Sequence, residues 1–194
     1  MDAPERADYD RSVRPGRKLE VAMSRDENES GPEGTRRSRK RTNRVEKKLK
    51  AHASTAFDKE SPEPNKQKYP ERARQEAVIN AMVHRDYEEE APTSITVFSD
   101  RVEIRSPGAL PRSVNKEKFL LGNASPAWRN QSLAYFFNKL QLAQAEGQGI
   151  PTIIRTMQLL GSPAPKFDLE ESAVSCVLPA HPRHETLRQL AQPR

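Results

Sequence analysis

A single cysteine, Cys176, stands among 194 residues. Neither an internal disulfide nor a cysteine-based metal site can form from it, and thiol scarcity fits a reducing compartment. Aromatic residues make up 6% and hydrophobic residues 34% of the chain, too few for one core spread over the whole length. Part of the chain is therefore expected to lie outside any core. No apolar run approaches the roughly 20 residues that span a bilayer, and Met1-Asp-Ala-Pro-Glu-Arg6 has no apolar stretch. No membrane span or signal peptide is expected, and the reading is a soluble cytoplasmic protein. Also missing are a Walker A sequence, a nucleophile elbow, a His-rich metal motif and a dinucleotide fingerprint after a strand. Each absence removes the enzyme class that depends on it.

What is present is unevenly placed. The formal charge is +6 with a pI near 9.5, and the positive charge gathers in the first third. Residues 1–67 are polar and charged, and no period of 2 or 3.6 survives there, which predicts a disordered basic tail. Within it Arg36, Arg37, Arg39, Lys40, Arg41 and Arg44 form a block of like charge. Its plain reading is a solvated tail; its functional reading is sequence-independent contact with DNA phosphates. Pro62 and Pro64 close the segment as a stiff linker.

From Tyr69 the pattern changes. Pro70 suits a helix start, and the apolar run that follows predicts a helix to about Tyr87. Ser94–Phe98 and Arg101–Arg105 alternate around Ser99-Asp100 and read as a β-hairpin. Leu133, Phe136, Phe137 and Leu140 have amphipathic-helix spacing, with Asn130 as N-cap. A further helix carries Ile150, Ile153, Ile154 and Met157 and stops at Gly161. Lys166–Glu170 and Ala173–Leu178 look like a closing hairpin, and the end is again polar. Helix, hairpin, helix, helix, hairpin predicts an α+β fold with helices covering one face of a mostly antiparallel sheet.

Three features could carry chemistry. Glu76, Asn80 and His84 fall in one stripe of a helix otherwise apolar nearly all round, at about 100° per residue. Such a helix is normally buried, and buried polar groups need partners. A carboxylate beside an amide suits water activation and Mg²⁺ ligation; an internal hydrogen-bonded network is the alternative. The second feature is Ser106-Pro-Gly108-Ala-Leu110-Pro111, where Gly108 permits a positive φ and close approach of a ligand; a plain turn is the alternative. The third is Gly147-Gln-Gly149 before a helix, where backbone N–H groups and the dipole favour an anion; a turn between helices is the alternative.

Tyr69–Tyr87, Asp100–Pro111, Arg129-Asn130 and Glu146-Gly-Gln-Gly-Ile150, in this order, resemble the RecG-type helicase C-terminal domain. That domain accompanies Schlafen/AlbA-type modules and is similar to the GHKL ATPases. The resemblance covers about residues 68–180. It implies a two-layer α/β sandwich of the Bergerat type that binds ATP with Mg²⁺. Glu76 then matches the water-activating glutamate and Asn80 the Mg²⁺-binding asparagine. Ser106, Gly108 and Leu110 match the adenine-side turn, Gly147 and Gly149 the phosphate-contacting pair, and residues 112–146 the lid. The chain departs from GHKL enzymes where they place an aspartate at the adenine turn: here Ser106 or Pro107 stands, and Ala109 replaces a usual second glycine. No AlbA-like module and no helicase motor motifs occur. Three segments are thus expected: tail 1–67, ATP-binding domain 68–180 and polar end 181–194. The expected role is a nucleotide-dependent switch near DNA; the alternative is a DNA-binding or regulatory module that keeps the fold without nucleotide. DNA, and a second copy of the chain, remain open as partners.

Overall fold

The computed structural model describes residues 18–20, 36, 40, 43, 44, 47, 67–140 and 148–182. Helix α1, Glu71–Val83, follows Pro70, whose extended ψ of 131° and missing N–H place it at the N-cap. Nine of its residues are buried, on nearly every side, because three layers of contact surround it. The strands Arg101–Pro107 and Ala173–Pro179 lie beneath it, with the helices Gln131–Lys139 and Gly149–Leu160 against it. That explains an apolar run too continuous for a one-sided amphipathic helix.

The sheet is antiparallel throughout. Strands β2 (Ser94–Val97) and β3 (Arg101–Pro107) form the first hairpin, closed where the Phe98 N–H donates to the Arg101 carbonyl at 2.8 Å. Strands β4 (Lys166–Leu169) and β5 (Ala173–Pro179) form the second. A three-residue strand, β1 (Lys18–Glu20), pairs with β2 and completes the order β1-β2-β3-β5-β4. It lies inside the segment whose composition predicts no element, and three residues leave too little period to detect.

Register builds the core. Ile95 pairs with Ile104, which pairs with Cys176; Val97 pairs with Val102, which pairs with Leu178. All six are buried on the face that meets α1. Each apolar side chain so buried contributes about 1.5–3 kcal/mol by leaving water. The other face carries ion pairs beside the buried Val177: Arg105 makes a bidentate pair with Glu170 at 2.6 and 2.7 Å, and Arg101 joins Glu103 and Asp100.

Three helices follow the first hairpin. Helix α2, Lys116–Leu120, is capped by the Asn115 side chain, which accepts from the Lys118 N–H. It arises in a segment of weak periodicity and was not expected. Helix α3, Gln131–Lys139, buries Leu133 and Phe137. Helix α4, Gly149–Leu160, buries Ile153 and Met157 and ends at Gly161 in the left-handed conformation. One expectation needs correction: helix α1 ends at Val83, four residues before Tyr87. Asn130 stands at the N-cap of α3 as expected, but its side chain makes no cap bond there. Asn130 Nδ2 instead donates to the carbonyls of Val83 and Arg85, each at 2.8 Å. One amide thus satisfies two carbonyls at the end of α1 and holds the start of α3 against them. The expected tail disorder over 1–67 and the polar end beyond 182 fall mostly outside the described residues.

Candidate functional site

Between α1, the β3 exit, α2, α3 and the start of α4 lies a cleft of about 620 Å³. Ligand pockets commonly fall between roughly 300 and 1,000 Å³. Glu76, Asn80 and His84 all line it, as do Ser106, Gly108, Leu110 and Gly149. Ile104, Val174 and Cys176 form its sheet side. Six of the seven cofactor or catalytic residues expected from sequence therefore surround one space. The seventh, Gly147, lies outside the described residues.

The helix stripe is held deep. Glu76 is 2% exposed. Asn80, one turn on, is partly buried, and its Nδ2 is enclosed with no hydrogen-bond partner among the described residues. A buried donor left unmade costs about 1–3 kcal/mol, so this atom marks a place where an acceptor belongs. Gly149 presses on the same amide: a Cβ there would stand 2.8 Å from both Nδ2 and Oδ1 of Asn80. Only a residue without a side chain allows that approach.

His84 caps α1 through its backbone, donating to the Asn80 carbonyl at 3.0 Å. Burial, with the nearby Arg129 charge adding to it, lowers its pKa to about 4. The imidazole is therefore neutral at pH 7 and gives the cleft a polar group without charge. Burial also pushes the Cys176 thiol up to about 12, so it is no nucleophile.

At the far end, Gly108 adopts φ 103°, and its N–H donates to the Ser172 carbonyl at 2.8 Å. A Cβ there would meet Asp86 Cβ at 2.7 Å. Ser106 Oγ is buried and donates to the Ala81 carbonyl at 2.7 Å. With its proton committed to α1, this hydroxyl can offer the cleft only a lone pair.

Arg129 and Asn130 fasten this end. Arg129 Nη1 pairs with Asp86 Oδ2, and Nη2 donates to the Ala109 carbonyl at 2.8 Å. The Asp86 N–H reaches the Pro107 carbonyl at 2.8 Å. Arg85, 1% exposed, donates to the carbonyls of Glu89 and Ala91, so the chain turns sharply after α1. The end of α1, the glycine turn and the beginning of α3 thus form one bonded unit. The N-cap role expected of Asn130 did not reveal these bonds, since nothing local says which carbonyls a distant amide will meet.

Sequence reasoning also missed the polar wall. Gln131, Tyr135, Asn138 and Lys139 of α3 all line the cleft, opposite the buried Leu133 and Phe137. Their i, i+4, i+7, i+8 spacing was the available signal.

Residues 90–178 match the model of the family described as "Putative ATP-dependent DNA helicase recG C-terminal". The matched residues hold β2 to β4 and nearly all of β5, the glycine turn and α2 to α4, and begin after α1. Glu76, Asn80 and His84 thus join the site through the fold, outside the matched residues. The crystal structure of the DIP2311 protein from Corynebacterium diphtheriae is similar, with TM-score 0.64 and 24% identity over 73% of this chain. That likeness supports the α+β fold alone. The chain spans 29% of that protein's length. No curated protein matches the sequence. Outside the matched residues, Arg36, Lys40 and Arg44 are helical and exposed, and none of them lines the cleft. Arg37, Arg39 and Arg41 lie outside the described residues. Among the described residues no helix is long and apolar enough to cross a membrane.

Proposed function

We propose that the cleft binds ATP together with Mg²⁺, as a GHKL-type sandwich, hydrolyses it slowly, and makes the protein a nucleotide-dependent switch near DNA. One observation carries the reading: the enclosed Asn80 Nδ2, with no hydrogen-bond partner among the described residues, lies against Gly149 at the start of a helix, in a cleft of about 620 Å³.

The residues fit the group. Gly149 opens α4, whose first N–H groups lack partners within the helix and favour phosphate oxygens. The Asn80 amide supplies an oxygen suited to a hard cation. No group of three His, Cys, Asp or Glu side chains gathers among the described residues, so phosphate oxygens and waters would complete the shell around Asn80. When bound, Mg²⁺ supplies neutralisation of phosphate charge. Glu76, buried one turn away, accepts a proton from the water that attacks the γ-phosphorus as ADP leaves. The turn at Ser106–Leu110 takes the base. Its hydroxyl lone pair replaces the carboxylate of GHKL enzymes and can accept from an amino group, a weaker contact that favours modest affinity.

Titration of labelled ATP with and without Mg²⁺ tests this. Saturable, Mg²⁺-dependent binding is expected, weakened roughly 10-fold in Asn80→Ala, while Glu76→Ala keeps nucleotide and loses hydrolysis. No saturable binding at millimolar ATP overturns it. A second reading, a nucleotide-free DNA-binding module, is favoured by one observation, the exposed helical cations Arg36, Lys40 and Arg44.

A further inference from the structure

Among the described residues that line the cleft, one is acidic, Glu76, and one is a lysine, Lys139. A polyanionic ligand would enter a space whose single carboxylate opposes it, so the position of the single ammonium matters. Lys139 ends α3, and its Nζ lies over the Tyr135 ring at 5.4 Å. That contact keeps the ammonium beside another cleft-lining side chain. The start of α3 is pinned at the Gly108 end by Arg129 and Asn130. Lys139 therefore stands about 12 Å further along the wall, eight residues at 1.5 Å each. The same step along α1 separates His84 from Glu76. Ten residues after Lys139 the chain reaches Gly149.

From this placement we infer that Lys139 is the specificity-determining cation of the cleft, contacting the terminal phosphates of the nucleotide and setting preference for triphosphate over monophosphate. This rests on the nucleotide reading above. A helix-terminal lysine also complements its own helix dipole, but that role is blind to phosphate number.

The test compares dissociation constants of ATP, ADP and AMP for wild type, Lys139→Met and Lys139→Arg at fixed salt, with melting temperatures as a control. Lys139→Met should weaken ATP roughly 10-fold and AMP by less than about two-fold, as expected for loss of a charge-assisted bond to the outer phosphates. Lys139→Arg should hold ATP close to the wild-type value, with all three melting alike. If wild type binds ATP and Lys139→Met binds it equally well, or loses all three nucleotides to the same degree, the assignment to Lys139 fails while the nucleotide reading stands. If wild type binds none of them, both fall together.

Discussion

Gly149 and Asn80 show how closely single residues define the cleft: one is small because the other must be near. His84 shows the opposite economy, a titratable group kept neutral. Its pKa is about 4 in the fold, chiefly through burial and then through Arg129, against about 6.5 in an unfolded chain. Between these values the unfolded state holds more protons, so stability falls as pH drops from about 6.5 towards 4 and is insensitive to His84 above. Relative to His84→Gln, wild type should lose roughly 2 kcal/mol more between pH 7 and 4.5, measured by urea unfolding at both values. An equal loss in the two proteins would mean His84 is readily protonated in place. At this scale Glu76, Asn80 and His84 were legible because one helical period aligned them. Lys139 was not, since a lysine on a helix reads as solvated surface until the opposite face is seen to be buried.

Among elements, the junction of α1 with α3 depends on Asn130. Its amide serves the Val83 and Arg85 carbonyls, while its N–H donates to Val83 at 3.1 Å. Asn130→Ala should take this donor from the Arg85 carbonyl, leave the Val83 carbonyl with the backbone N–H of residue 130, and cost about 1–3 kcal/mol, read from denaturant midpoints. A cost near zero would show that water replaces the amide freely. The hairpins were legible from alternation, and α4 from its spacing and the Gly161 stop. Helix α1 was read too long because Arg85 and Asp86 look helical locally, yet they bond to loop carbonyls and Arg129 rather than to the helix. Helix α2, only five residues long, has no apolar face from which to read it.

At the scale of the whole molecule, the described cations at 36, 40, 44 and 47 are helical and exposed, and none of them lines the cleft. If four such charges meet DNA phosphates, affinity should drop roughly 100-fold between 50 and 200 mM salt. Deletion of residues 36–50 should remove that binding without changing ATP affinity. Salt-independent DNA binding, measured by fluorescence anisotropy, would sink this. The α+β class was legible because the order of elements leaves few layer arrangements. Grouping of the motifs around one cavity was not, because it depends on tertiary distances that no local period encodes.

Cys176 lies in β5 at the sheet side of the cleft and is the sole sulfhydryl of the chain. The protein therefore carries a native label position at the heart of its helix–sheet interface, with no background from any second thiol. Alkylation there is slowed because burial disfavours the thiolate, and its rate reports access to the sheet side of the cleft.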